Sequence, residues 1–335
     1  MTTAHPAPAV ELATDWLRPL GRTGLTVSAV CAGGGPLGSM PENFGYDVSA
    51  ERGIRTAARV LDGPITFLDT SNGYSGGESE RRIGAAIRDR GSVPDGFLLA
   101  TKVDRDGAGD FSGERVRRSL DESLERLGLD SVDLLYLHDP EHITFEEGMA
   151  AAGPVEALLD LQRQGLARHL GVAGGPVALM DAYIGTGAFE VVLTHNRWTL
   201  VDRSADALLD RAASLGVAAV NAAVFGGGIL AVGSTRTSKY AYRQAPAEVL
   251  TRIGGIEQVC ARYGVSLAAA ALQFSLRDPR IASTVVGFSH PQRVDEIVGQ
   301  ASAPLPAEIW PELAGLAAPG EFWLDPPAPN QKELT

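Results

Sequence analysis

The sequence contains little cysteine and no long apolar run. Its 335 residues include two cysteines, Cys31 and Cys260, which are too few for a disulfide framework and have no partners at metal-ligand spacing. No window offers the roughly 18 uncharged apolar residues that a transmembrane helix needs, and residues 1–12 lack the basic start and apolar stretch of a signal peptide. These absences predict a cytoplasmic protein with buried thiols and no membrane partner.

Positive charge is also scarce. Asp and Glu number 41 against 29 Lys and Arg, which gives a net charge of −12. That balance repels phosphate backbones at long range and there is no basic run, so nucleic acid is not expected as a partner. Apolar residues make up 44% of the chain and charged residues 21%, as in ordinary globular proteins. We therefore expect a small-molecule partner, with a homo-oligomer left open.

Short apolar runs alternate eight times with longer segments whose apolar residues recur every three or four positions. The run Leu134-Leu135-Tyr136-Leu137 is apolar at successive positions, which is typical of parallel strands covered on both faces. Eight such units predict an α/β fold of the (β/α)8 TIM barrel type, and an open doubly wound sheet is the alternative. The predicted strands are 28–32, 66–69, 97–102, 132–138, 169–173, 191–195, 218–222 and 283–287; the predicted helices are 50–62, 78–90, 113–127, 155–164, 177–184, 204–214, 256–277 and 291–299.

Three segments lie outside this repeat. Residues 17–20 and 25–27 flank Gly21-Arg22-Thr23-Gly24, which predicts an N-terminal β-hairpin able to close the bottom of the barrel. The connection 226–247 is long for a compact domain, so we expect it to cover a cofactor or substrate. Residues 1–15 and the Pro-rich 325–335 are predicted to be flexible tails of a single domain, 16–324.

Four polar side chains follow three successive predicted strands. Asp69 ends one strand and Tyr74 comes five residues later, while Lys102 and His138 end the next two. Reacting groups of such barrels lie at the carboxyl ends of strands, so we expect all four on one rim. A phenol with a pKa of about 10 needs a neighbouring ammonium to transfer protons near neutrality. Lys102 would supply it, Asp69 would hold Lys102, and His138 would orient a substrate oxygen, which suits carbonyl and alcohol interconversion.

Each of these residues has an ordinary structural explanation when taken alone. Asp69 would then be a turn residue, Tyr74 a half-buried aromatic, Lys102 a solvated charge and His138 a core histidine. Their order on consecutive strands favours the functional interpretation. Donor atoms of metal-binding type occur in His138-Asp139 with Glu141 and His142, but no second cluster at zinc-ligand spacing accompanies them, so no metal is expected.

Several motifs together resemble the aldo-keto reductases, which are NAD(P)-dependent (β/α)8 enzymes. The resemblance covers about residues 17–300 and is most specific in the segment from Phe67-Leu68-Asp69 through Asn72-Gly73-Tyr74 to Glu80, which is similar to the family's Asp/Tyr signature. It implies a catalytic tetrad of Asp69, Tyr74, Lys102 and His138. It also implies hydride exchange between a nicotinamide and a substrate carbon, with Tyr74 as the acid or base.

The same resemblance implies where the cofactor would bind. Asn196 lies near the position of an amide that binds the nicotinamide carboxamide, and segment 224–230 resembles a loop beneath the pyrophosphate. The basic residue expected beside a 2′-phosphate is the neutral Ser289, and residues 171–175 lack the family's Ser-Asn pair, so NAD and NADP both stay open. The cofactor residues implied are Asn196, Phe225, Gly228, Leu230, Gly287, Ser289, Arg293 and Glu296.

Within the family, residues 72–80, 196–200 and 221–223 most resemble the branch of D-threo-aldose or L-fucose 1-dehydrogenases, which oxidise C1 of an aldose to a lactone. That activity is the main expectation. An NADPH-dependent aldehyde or ketone reductase is a second one. A non-catalytic cofactor-binding sensor subunit is a third, because a fold does not fix a function.

Overall fold

A closed barrel of eight parallel strands forms the centre of the computed structural model, which describes residues 15–327. The last strand pairs with the first through Thr284 and Val30, so the barrel fold is confirmed and the open sheet is excluded. The strands are β3 Val30–Gly33, β4 Phe67–Asp69, β5 Leu98–Val103, β6 Val132–His138, β7 Ala167–Gly174, β8 Val191–His195, β9 Ala218–Ala222 and β12 Ile281–Gly287.

Helices cover the outside of the barrel. The helix at 113–127 begins and ends where the sequence predicts: the Ser112 hydroxyl accepts from the Arg115 amide, and Gly128 ends the helix with a φ of 72°. Val116 and Leu120 on its inner face are fully buried. The helices are α1 Pro41–Phe44, α2 Ala50–Leu61, α3 Glu78–Arg90, α4 Gly113–Leu127, α5 Phe145–Met149, α6 Pro154–Arg163, α7 Val177–Gly185, α8 Asp206–Leu215, α9 Ile229–Val232, α10 Ala247–Tyr263, α11 Leu267–Leu276, α12 Arg293–Ser302 and α13 Ile309–Ala314.

The single helix predicted for residues 256–277 is wrong. The segment contains the end of α10 and all of α11, because Gly264 adopts a φ of 67° and Ser266 starts a new helix by accepting from the Ala269 amide. The two helices meet at an angle of 101°. By length and apolar composition no single helix of residues 15–327 could cross a membrane, although α10 and α11 together pass that test.

The predicted N-terminal hairpin is present. Its strands, β1 Leu17–Pro19 and β2 Thr26–Ser28, pair in an antiparallel manner. Leu20 and Val27 are fully buried and pack with the barrel-interior residues Cys31 and Phe67, so the hairpin closes one end of the barrel. The opposite, carboxyl end of the strands is left for the site.

The long connection after β9 is ordered. It contains the turn Gly226–Gly228, helix α9 and a small hairpin of β10 Lys239–Tyr240 and β11 Arg243–Gln244. Tyr240 is buried, and the Ala241 amide donates to the Gly226 carbonyl at 3.0 Å, which folds the hairpin back onto the turn.

The predicted tails lie largely outside the described residues. Residues 1–14 and 328–335 are not part of the structural description. Asp325, at the start of the predicted C-terminal tail, forms an ion pair with Arg197 and accepts from the Val177 amide at 3.4 Å.

Candidate active site

The four side chains predicted from the strand ends meet at one point of the rim. Lys102 Nζ lies 2.6 Å from Asp69 Oδ2 and 3.2 Å from Tyr74 Oη, and it also donates to the Thr70 carbonyl at 2.7 Å. The His138 ring packs edge-on against the Tyr74 ring, with 5.7 Å between centroids. A carboxylate, an ammonium, a phenol and an imidazole therefore form one continuous chain of contacts.

The loop that carries Tyr74 is anchored by buried polar contacts to α4. Asn72 donates to the Ser119 carbonyl and to Glu122 Oε2, both at 3.0 Å, and accepts from Arg115 Nη2 at 3.0 Å. Gly77 adopts a φ of 88°, and a Cβ there would lie 2.4 Å from the Arg126 guanidinium. The left-handed φ favours glycine here, so the residues around Tyr74 hold its loop against α4.

Burial and charge act in opposite directions on the central groups. Burial raises the pKa of Tyr74 above its ordinary value, and the opposing effect of Lys102 is smaller, so Tyr74 holds its proton at neutral pH. Burial alone would lower the pKa of Lys102, but Asp69 and then Tyr74 raise it, so the lysine stays charged. The site thus holds a phenol ready to donate a proton and an ammonium that favours the phenolate once the proton has gone.

Asp104 is a candidate site residue that the sequence interpretation missed. Its Oδ1 lies 2.6 Å from His138 Nδ1, and its Oδ2 accepts from the Gly73 amide at 2.7 Å and from the Ser71 hydroxyl. Burial would raise the pKa of Asp104, but His138 and the two other donors lower it to about 2. Asp104 directly follows β5, so the strand-end rule that selected Lys102 also pointed to it.

A second polar group borders His138. Asp139, Glu141 and His195 present ligand-type atoms that all lie within 4.8 Å of one another, the one such group within residues 15–327. Burial lowers the pKa of His195 to about 4, so its imidazole is neutral at pH 7. Burial, followed by the charge of Asp139, raises the pKa of Glu141. We refer to these three residues as the polar rim. The expectation that no metal binds stays a prediction.

Asn196 lies at the end of β8 in a strained conformation. Its φ is 61°, it is buried, and its Oδ1 has no hydrogen-bond partner in the described part of the chain. Tyr240 holds it in place, since the Tyr240 hydroxyl donates to the Asn196 carbonyl at 2.8 Å. Tyr240 was not predicted as a functional residue. It brings the expected functional loop 226–247 into contact with Asn196.

The other cofactor residues implied by the resemblance lie at the ends of β9 and β12. Phe225 is half-buried, Gly228 has a φ of 112°, and Leu230 is buried with its amide donating to the Phe225 carbonyl at 3.0 Å. Gly287, the last residue of β12, is exposed, and Ser289 is half-buried. Arg293 forms an ion pair of 3.2 Å with Glu296. These residues form two groups, one in the segment after β9 and one at and after the end of the neighbouring β12, and their contacts with a cofactor stay a prediction.

Comparison with known proteins places this geometry among enzymes. The model of the aldo/keto reductase family matches residues 30–318. D-threo-aldose 1-dehydrogenase of a Pseudomonas species is 30% identical over 316 residues, 87% of this chain and 94% of the relative. L-galactose dehydrogenase of Arabidopsis thaliana is 34% identical over 286 residues, 84% and 86% of the two chains. Pyridoxal 4-dehydrogenase of Microbacterium luteolum is 29% identical, with 88% and 96% covered.

Solved structures share the fold. An aldo-keto reductase from Bacillus halodurans superposes with a TM-score of 0.73 at 23% identity, covering 90% of this chain and 96% of that one. The glycerol dehydrogenase of Gluconobacter oxydans gives a TM-score of 0.72 at 20% identity, with 95% and 99% covered.

Proposed function

Because the chain belongs to the aldo/keto reductase family and is an NAD(P)-dependent oxidoreductase, we propose that it oxidises an aldose at C1 to the corresponding lactone. The observation that carries the proposal is the contact of Lys102 with both Asp69 and Tyr74 at the mouth of the barrel. Because of this contact, Tyr74 can take the proton that the C1 hydroxyl of the substrate must lose.

The residues present fit a nicotinamide. The Asn196 Oδ1 atom is buried and has no partner among residues 15–327, which is what a site for an external amide donor requires. Gly175 stands where the resemblance expects part of a Ser-Asn pair, and a Cβ there would lie 2.8 Å from Arg197 Nη1. We infer that Asn196 binds the carboxamide. Arg197 pairs through Nε with Asp325 and donates through Nη1 to the His195 carbonyl at 3.2 Å, so we infer that its Nη2 supplies a polar contact in place of the missing pair.

Proton transfer in the proposed reaction is assigned to the tetrad. Oxidised NAD(P), when bound, would supply the acceptor for the hydride of C1. Tyr74 takes the proton of the C1 hydroxyl, and Lys102 stabilises the phenolate that must be present beforehand. Asp69 keeps Lys102 charged and in place, and His138 orients the substrate oxygen. In the reverse direction Tyr74 returns the proton to the carbonyl oxygen.

Two features favour a sugar as the substrate. Two of the relatives named above are sugar dehydrogenases. The polar rim of Asp139, Glu141 and His195 adjoins His138, with Asp139 Oδ1 3.8 Å from His138 Nε2. Carboxylates and a neutral imidazole accept hydrogen bonds from hydroxyl groups, so the rim suits a polyhydroxylated substrate better than a simple aldehyde.

For the cofactor we propose that NAD is preferred over NADP. Ser289 carries no charge to pair with a 2′-phosphate, and the nearby Arg293 is already paired with the Glu296 carboxylate. An acidic group in this region favours a ribose hydroxyl over a phosphate.

Steady-state assays with both cofactors against an aldose panel and an aldehyde panel test the proposal. We expect aldose oxidation with NAD and a rate that rises with pH, because burial raises the pKa of Tyr74 and oxidation needs its phenolate. Reduction of aldehydes with NADPH and no aldose turnover would instead establish the reductase alternative, which the protonated state of Tyr74 favours. Cofactor binding without turnover in either panel would establish the sensor.

The polar rim yields a separate prediction. Glu141→Gln is expected to raise KM for a preferred aldose about tenfold, with little change in kcat, because one acceptor for a sugar hydroxyl weakens while the tetrad is intact. The control is Glu146→Gln, which removes a carboxylate in the first turn of α5. An unchanged KM for the aldose would contradict the assigned role of the rim.

A further inference from the structure

Asp104 connects His138 with the loop that carries Tyr74. Its Oδ1 contacts His138 Nδ1 at 2.6 Å, and its Oδ2 accepts from Ser71 and from the Gly73 amide next to Tyr74. A Cβ at Gly73 would lie 3.1 Å from the Asp104 carboxylate, so glycine permits this close approach.

The Asp104 backbone is fixed as firmly as its side chain. Its amide donates to the Ser119 hydroxyl at 3.0 Å, and its carbonyl accepts from Arg115 Nε at 3.0 Å. Arg115 also binds Asn72, so α4 holds Asp104 and the Tyr74 loop through one guanidinium. A carboxylate held on both sides in this manner can orient a partner without moving itself.

We propose that Asp104 is the positioning residue for His138: its carboxylate keeps a proton on Nδ1, so that Nε2 is the nitrogen presented to the substrate, and it holds the imidazole in its charged, donating form. The inference rests on the proposed function and deepens it, because it assigns the group that keeps His138 a hydrogen-bond donor. The two ring nitrogens then have distinct roles, as in other histidines paired with a carboxylate.

The hydrogen-bond partners of the two His138 ring nitrogens support these distinct roles. Nδ1 has both Asp104 and the Ser71 hydroxyl, at 3.1 Å, within reach. Nε2 has Asp139 Oδ1 at 3.8 Å, which is too long for a hydrogen bond. Within residues 15–327, Nε2 therefore makes no hydrogen bond and is left for a ligand.

Some of the charges around His138 raise its pKa and others lower it. Burial lowers the pKa of His138, but Asp104 and then Asp139 raise it above the ordinary value, with Lys102 opposing them. Tyr74 faces the ring as a neutral phenol, Asp69 lies behind Lys102, and His195 on β8 is neutral at pH 7. Because the net shift is upward, the charged form persists to higher pH than in a free histidine and is lost as pH rises through the raised pKa.

Nitrogen-15 NMR of the histidines tests the proposal directly, with His138→Gln used to assign the His138 signals. In the unmodified protein we expect a protonated Nδ1 and a raised pKa. In Asp104→Asn, which keeps shape and one acceptor oxygen, we expect the pKa of His138 to fall by about 1–3 units. The control is Asp95→Asn, which removes one exposed negative charge before β5. An unchanged tautomer and an unchanged pKa in Asp104→Asn would overturn the proposal.

Kinetics supply a second readout. Asp104→Asn is expected to lower kcat/KM about 10- to 100-fold and to move the alkaline limb of carbonyl reduction to lower pH, with partial recovery in Asp104→Glu. In a protein that already carries His138→Gln, adding Asp104→Asn should lower kcat/KM little further, because the imidazole that Asp104 positions is absent. A full additional loss there would show that Asp104 only supports the Tyr74 loop, and would refute the assigned role. Failure of the proposed function, seen as no turnover, would leave the NMR result standing.

Discussion

Replacing Tyr74 with Phe is expected to remove most of the turnover while leaving cofactor affinity unchanged. The substitution deletes only the hydroxyl that lies 3.2 Å from Lys102 Nζ, and the ring keeps its edge-on contact with His138. General acid–base catalysis by one positioned group contributes roughly 10²- to 10⁴-fold, so kcat should fall by about that factor. Steady-state kinetics and a fluorescence titration with the cofactor measure the two quantities separately.

Tyr263→Phe is the matched control. Its hydroxyl donates to Glu312 at 2.6 Å on the surface, far along the chain from the site, so its loss should leave kcat unchanged. Undiminished activity in Tyr74→Phe would mean that another group transfers the proton. A parallel loss of cofactor affinity would mean that the hydroxyl serves binding.

The barrel and the tetrad follow from the sequence because both depend on local patterns. Eight apolar runs with helical segments between them permit few arrangements, and closure puts the carboxyl ends of all strands on one rim. Asp69, Lys102 and His138 each end such a run, so their meeting is a consequence of topology. Tyr74 lies five residues beyond its strand, in a loop that could place its ring in many directions, so its contact with Lys102 is seen only in the structure.

Asp104 and Tyr240 are site residues that the same sequence patterns do not identify. Asp104 shares its position after β5 with other polar residues of the segment, and only the distance to His138 Nδ1 shows its role. Tyr240 lies 44 residues from Asn196 along the chain, and the hydrogen bond between them depends on how a small hairpin folds over the rim. No spacing rule describes such a contact.

The break between α10 and α11 was missed for a related reason. Apolar residues recur at helical spacing on both sides of it, so periodicity alone continues through Gly264. Local signals for the break were nevertheless present in the sequence. Gly264 marks the end of α10, and Ser266, whose hydroxyl accepts from the amide three residues later, marks the start of α11. Here the capping residues carried more information than the hydrophobic pattern.

Lys102→Met is expected to lower both stability and turnover. Lys102 and Asp69 are buried, Asp69 Oδ1 has no hydrogen-bond partner within residues 15–327, and Asp69 Oδ2 depends on the ammonium. Removing one partner of a buried ion pair typically costs about 3–5 kcal/mol, because the remaining charge is left uncompensated. Urea unfolding monitored by circular dichroism measures this loss. Turnover should fall as well, because nothing then favours the Tyr74 phenolate.

The pH dependence of that loss identifies its cause. Burial already raises the pKa of Asp69 and Lys102 opposes it, so without the lysine the folded-state pKa rises further. An acid whose folded-state pKa exceeds its unfolded value destabilises the fold when ionised. The penalty relative to the unmodified protein should therefore grow as pH rises and shrink as pH falls and Asp69 binds a proton. The double variant Lys102→Met with Asp69→Asn, which has no buried carboxylate, should recover most of the stability at neutral pH yet stay inactive. A penalty that is independent of pH and persists in the double variant would mean that packing of the lysine stem, and not charge pairing, holds this part of the barrel together.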